Sequence, residues 1–260
     1  GGQAATDRYK VYLNGLLLTP TTPVGEIEAV TPTFTNNLTI GKIAYSAAEY
    51  WNGKIDETAI WSSALTQAQV SQIYNNGYAA DLTSLSPVSW WRLGEDAYFV
   101  GNDITIPNQI SGAPNGTGAG TQTSILVADA PGSYASGVGT NLADTDRKGE
   151  APESSANSQS INMIPGDVHP YIPGYVPAQV NNVASMDFDY LSLSYLNIGK
   201  INALNSTQYF SLSVWVRTGN NDGANKELFT IANSTSESIV INYFAADLVY
   251  SVGTTSQFNR

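Results

Sequence analysis

Cysteine is absent from the 260-residue chain. Neither a disulfide framework nor a thiolate metal site can hold the fold, so stability must come from apolar burial and strand pairing. Histidine occurs once, at His169, inside a His-Pro-Tyr run of low apolar periodicity. That setting argues against a Ser-His-Asp triad, a single histidine argues against a two-histidine zinc site within the chain, and an exposed or loop-anchoring role is expected. Charge is sparse at 13%, and basic residues are the minority, 11 against 22 acidic, for a net charge of −11. Such a surface repels phosphate backbones and anionic lipid, so neither nucleic acid binding nor membrane insertion is expected. No apolar run approaches the roughly 18 residues of a membrane span. Gly1-Gly2-Gln3-Ala4-Ala5 lacks the charged and apolar regions of a signal peptide, and a first residue other than Met suggests a processed product or an excised piece.

What the chain has in abundance is Gly, Thr, Ser, Asn and Tyr, which suits many strands joined by tight turns. Its length allows one large or two modest domains. Tyr9 to Leu13 alternates, runs into Asn14-Gly15 and resumes at Leu16-Leu17-Leu18. Asn-Gly is a strong hairpin signal because a type I′ turn needs positive φ at both central positions. Leu38 to Ile43 reads as a further strand, and Trp51-Asn52-Gly53 turns into a strand ending at Trp61, a pattern that reads as a meander.

A short helix then follows. Thr66-Gln67-Ala68-Gln69 fits a capping box, Leu65 and Val70 occupy the positions of a hydrophobic staple, and Ile73 and Tyr74 extend the apolar face. Asn75-Asn76-Gly77 supplies the stop. The fold class expected is all-β, an antiparallel jelly-roll sandwich with this helix laid over one edge.

Val11 to Gly15, Leu38 to Gly41, Trp51 to Glu57, Ile60-Trp61 and Ala64-Leu65-Thr66, in that order, resemble the C-terminal half of a laminin-G-like domain of the concanavalin A-like lectin/glucanase superfamily. Met186 to Asp189, Tyr195 to Gly199 and Phe210 to Val216 resemble the N-terminal half of the same domain type. The order is inverted. The resemblance implies three regions: 1–82, the closing half of one sandwich; 83–182, a first strand at Trp90 to Leu93 and a long Gly/Pro/Ser/Asn-rich insertion or arm; 183–260, the opening half of a second sandwich. Half a sandwich exposes strand edges and an apolar inner face, so residues 1–80 must pack against something like residues 183–260. The complement can come from the same chain as a circular permutant, from a neighbouring copy, or from a longer tandem protein. Such domains usually carry an aromatic strand, often with a Trp-His pair, between the equivalent of Asp247 to Val252 and the strand before Asn14-Gly15. None is found near Arg260 or before Tyr9, which together with the non-Met start favours the tandem protein.

From Asn108 to Asn182 apolar periodicity is low, and a structureless loop of that length is improbable in a compact domain, so an extended arm or functional insertion is expected. Gly149 to Asn157 followed by Ile161-Asn162-Met163 is similar to segments of laminin-G-like structural proteins of marine tailed phages. That resemblance implies a virion-surface or otherwise extracellular location, with other copies of the chain or other virion proteins as partners.

The chemistry expected is non-catalytic. Superfamily members that cut β-glucans resemble one another in a Glu-x-Asp-x-x-Glu strand, and this chain has none. Asp56 and Glu57 are adjacent, so regular alternation sends them to opposite faces, with Glu57 at solvent or an edge. Gly118-Ala119-Gly120 lacks the strand-to-helix context of a phosphate loop. Related domains often hold calcium, and oxygen ligands stand at Asp187, Asp189, Asp222 and Asp247, but no EF-hand spacing organises them; solvated acidic loops are the favoured reading and no cofactor is expected. Trp51, Trp61, Trp90, Trp91 and Trp215 fall within or beside strands, where a core role is commoner. Tyr134, Tyr171 and Tyr175, in the insertion, are the candidates for glycan or partner contact. Two functions are thus in view: a structural component of a viral particle, as a capsid decoration or tail fibre, and a carbohydrate-binding module or adhesin of a secreted bacterial protein.

Overall fold

In a computed structural model of the protein the described residues are 10–18, 30–44, 50–119, 125–127, 185–188, 193–218, 226–234, 237–244 and 247–252. They form sixteen strands: β1 Tyr12–Leu13, β2 Leu16–Leu17, β3 Leu38–Ile40, β4 Gly53–Trp61, β5 Ser89–Trp91, β6 Leu93–Asp96, β7 Tyr98–Val100, β8 Asp103–Ile106, β9 Gly116–Ala119, β10 Leu126–Val127, β11 Ser185–Phe188, β12 Tyr195–Gly199, β13 Ser211–Thr218, β14 Lys226–Ser234, β15 Glu237–Phe244 and β16 Asp247–Val252. One α-helix, α1, spans Gln67–Tyr74. All strand pairing among them is antiparallel, in the two-stranded hairpin β1–β2, a five-stranded sheet centred on β4 and an eight-stranded sheet in the order β16-β15-β14-β3-β12-β9-β8-β7. The sheets pack face to face. Ile55, Ile60, Trp91, Met186 and Phe188 of the first meet Leu38, Ile40, Ile104, Leu196, Phe229 and Ile231 of the second in one buried core. Burial of each such side chain contributes about 1.5–3 kcal/mol, which is how a chain without cysteine holds a sandwich.

The complement of the N-terminal strands comes from the same chain. β13 runs along the whole of β4, from Ser211 opposite Trp61 to Thr218 opposite Gly53. The other edge of β4 is shared, β11 pairing with Gly53–Ile55 and β5 with Thr58–Ile60. In the second sheet β3 sits between β12 and β14. Segments that resemble the closing half of one sandwich and the opening half of another therefore interleave in both sheets of one, and completion by a neighbour or by a longer tandem protein is not needed to pair β3 and β4. Nor do β1 to β4 form a meander: β3 and β4 lie in different sheets, and β1–β2 is a hairpin outside both. Its turn has Asn14 at φ 50° and Gly15 at φ 77°, as type I′ requires.

Two strand segments lie outside the elements expected from the sequence. The low-periodicity stretch contains β9, which pairs with β8 and β12. A β-carbon on Gly116 would stand 2.9 Å from Ile198 Cδ1, so the core itself excludes the apolar alternation that would have announced this strand. The β7–β8 hairpin was also missed, although Asp103-Ile104-Thr105-Ile106 alternates around the Gly101-Asn102 turn. Helix α1 begins as its sequence dictates: the Gln69 amide N–H donates to Thr66 Oγ1 at 3.3 Å and Thr66 N–H to Gln69 Oε1 at 2.8 Å. Asn75 ends it at φ 44°. Ile73 and Leu65 pack with Ala59, Trp61 and Trp90, covering part of the outer face of the five-stranded sheet.

Gly41 joins the two sheets. It has φ 84°, donates its N–H to Leu228 O at 2.9 Å and accepts from Trp51 N–H at 2.9 Å, and a β-carbon there would lie 2.6 Å from Phe188 Cδ1. Gly41→Ala therefore combines left-handed backbone strain with overpacking against a fully buried ring. We expect a loss of about 2–3 kcal/mol in urea unfolding; an unchanged midpoint would contradict this packing.

Candidate functional site

Strand β4 carries a bulge where it carries its acids. Opposite it Ser213 pairs with Ala59 and Trp215 with Asp56, so β4 has one residue more than β13 between these pairs. Glu57 takes up the surplus at φ 44°, and its N–H donates to Asp56 Oδ1 at 2.8 Å. Such a bulge interrupts alternation. Asp56 and Glu57, expected on opposite faces, instead offer carboxylate oxygens that lie, with one of Glu95, all within 4.8 Å of one another. Neither Glu57 nor Asp56 is at solvent; they are 2% and 1% exposed. Trp90 Nε1 donates to Glu57 Oε2 at 2.6 Å and Arg92 Nε to Oε1 at 3.0 Å, with Arg92 Nη2 3.9 Å from Glu95 Oε2. Burial pushes the Glu57 carboxyl up to about 7, against the opposing pull of Arg92 and the Trp90 hydrogen bond.

This cluster ties three strands together. Its acids come close enough to share a cation or a proton, but both oxygens of Glu57 already accept hydrogen bonds, and Arg92 supplies the positive charge. A sugar ring has no route to carboxylates this buried. Of the aspartates weighed for calcium, only Asp187 has its side chain among the described residues. Asp187 lies in β11 directly opposite Lys54, so its cross-strand neighbour is a cation. Asp247 begins β16 in the other sheet, its side chain outside the described residues, as are Asp189, Asp222 and His169 and the three tyrosines Tyr134, Tyr171 and Tyr175.

The outer face of the eight-stranded sheet has a different character. With Ile104, Leu196, Ile40, Phe229 and Ile239 turned to the core, alternation places a transverse row on the opposite face. Tyr98 pairs with Thr105, Thr105 with Thr117, Thr117 with Asn197, Asn197 with Thr39, Thr39 with Thr230, and Thr230 with Val240. Seven adjacent strands thus line up a phenol, four threonines, an amide and one valine. Thr39, Thr105, Thr230 and Val240 are buried, and among the described residues Thr230 Oγ1 has no hydrogen-bond partner. At the other end Tyr98 is 48% exposed, Thr117 is exposed and Asn197 half-buried. Two residues along β12 from Asn197, Tyr195 stands on the same face, its ring 6.3 Å from that of Tyr50, and Lys42 Nζ lies 4.5 Å from the Tyr195 centroid and 5.5 Å from that of Tyr50. Sequence reading missed this row because each strand contributes one unremarkable residue; only register joins them. Four of the five tryptophans, Trp51, Trp61, Trp90 and Trp91, are buried, and Trp215 stacks on Tyr74 at 5.9 Å.

Two packed antiparallel sheets with one capped helix define a lectin-like β-sandwich. Residues 3–71 match the laminin-G-like family model described as the concanavalin A-like lectin/glucanases superfamily. The resemblance read from Val11 to Gly15, Leu38 to Gly41 and Trp51 to Glu57 holds over that segment, and nothing in the match points to a phage protein. No curated protein and no solved structure matches the chain. The fold is typically that of a non-catalytic binding domain, and the match points to a carbohydrate-binding or adhesion-type function.

Proposed function

We propose that the protein is a non-catalytic glycan-binding module of the adhesion type, acting outside the cell or on a particle surface, and that it binds through the outer face of the eight-stranded sheet. The observation that carries this reading is the row Tyr98–Thr105–Thr117–Asn197–Thr39, whose accessible end offers an aromatic face for stacking and hydroxyl and amide groups for hydrogen bonds. The burial of Asp56 and Glu57 supports the absence of turnover. Contacts with further copies of the chain or with virion proteins, the other half of the expectation, rest on the resemblance of residues 149–163 alone.

Affinity electrophoresis through gels containing neutral and acidic polysaccharides tests the reading. Retardation in at least one gel is expected, and Tyr98→Ala with Asn197→Ala should weaken it about tenfold or more, the equivalent of roughly 1.4 kcal/mol, while thermal unfolding stays cooperative. Free migration in every gel, or retardation that the double variant leaves intact, would overturn it.

A further inference from the structure

Resting on that reading of the face, we propose that Lys42, Tyr50 and Tyr195 form a subsite for the anionic group of an acidic saccharide, a carboxylate or a sulfate. The Lys42 backbone is held in place from two sides. Lys42 pairs with Tyr50 in an isolated antiparallel bridge, and Thr39 Oγ1, itself in the row, donates to the Lys42 carbonyl at 2.8 Å. The two rings, tilted by 59°, cradle the charge. Tyr195 shares its face with Asn197, because Leu196 and Ile198 between and beyond them enter the core. Tyr195, over which the cation lies, therefore stands beside Asn197 of the polar row at the spacing of two strand residues, roughly 7 Å, which is on the scale of one sugar ring.

Charge distinguishes this place from the other cation near an aromatic ring among the described residues. Arg92 lies over Trp90 but is bound to Glu57 and flanked by Glu95. Among the described residues Lys42 has no carboxylate at ion-pair distance, although acids outnumber bases two to one in the chain. Tyr50 is buried and Lys42 and Tyr195 are half-buried, and each ring stabilises the ammonium by about 0.5–2 kcal/mol without supplying, among the described residues, a counter-charge. A ligand carboxylate or sulfate supplies that charge while its sugar ring lies along the row. The long-range field of a protein of charge −11 opposes acidic polymers, so this attraction acts at contact distance and is expected to weaken with salt.

The test uses the full chain with three oligosaccharide probes of equal length, an oligouronate, a sulfated glucan and a neutral glucan, titrated calorimetrically at 50 mM and 500 mM NaCl. Wild type is expected to prefer at least one acidic probe and to lose that preference at high salt. Lys42→Gln should weaken acidic binding about tenfold and leave the neutral probe unchanged, and Lys42→Arg should restore most of the loss. The uronate and sulfate arms tell which anion the subsite takes. Equal acidic binding by wild type and Lys42→Gln overturns the proposal, as does a loss of all three probes together, which would mark Lys42 as merely structural. Binding of the neutral glucan alone sinks this subsite and leaves the glycan-binding face standing; binding of none removes both.

Discussion

Glu57→Ala is expected to destabilise the protein by about 3–5 kcal/mol, the usual cost of removing one partner from a buried ion pair. Trp90 Nε1 and Arg92 Nε would both lose the buried acceptor they share. Glu57→Gln keeps an acceptor oxygen and should cost less, but it changes the response to pH. The folded carboxyl titrates near 7 against an ordinary 4.5, chiefly because burial disfavours its charge. A raised folded value means that the native state holds a proton the unfolded chain has released. This contribution is therefore fully present below pH 4.5 and is lost as pH rises through 7; it amounts to about 3 kcal/mol. Wild type should be more stable at pH 5 than at pH 7.5, and urea unfolding of Glu57→Gln should show that difference reduced. An equal pH dependence in the two proteins would mean that Glu57 is ionised throughout.

The second large effect follows from the pairing of β4 with β13. Lys54 lies directly opposite Arg217 in that register, and the chain has no other thiol to compete. Lys54→Cys with Arg217→Cys should oxidise to a disulfide within one chain, migrating as a monomer on non-reducing gels. Because the bridge closes a loop of well over a hundred residues, the entropy of the unfolded chain alone predicts stabilisation of up to about 5 kcal/mol. Covalent dimers and ladders in dilute solution would show instead that a neighbour supplies β13. This separates completion within the chain from completion by another copy.

Some of this architecture was legible in the residues because the physics involved is local. Asn14-Gly15 dictates its turn, Thr66 and Gln69 cap each other three residues apart, and the alternation of Leu38 to Ile40 and of Tyr195 to Gly199 already assigns a core face. The all-β class and the laminin-G-like character of the N-terminal segment follow from such signals. Tertiary structure alone decided which segments pair. Hydrogen bonding along a strand edge is nearly independent of sequence, so nothing in Lys54 to Trp61 names Ser211 to Thr218 as its partner. It also decided the fate of the acids: one bulge at Glu57, unmarked by glycine or asparagine, turned two carboxylates expected on opposite faces into a buried cluster with Glu95 and Arg92. The outer row exists for the same reason, since Tyr98, Thr117, Asn197 and Thr39 are far apart in the chain and become neighbours only through sheet register.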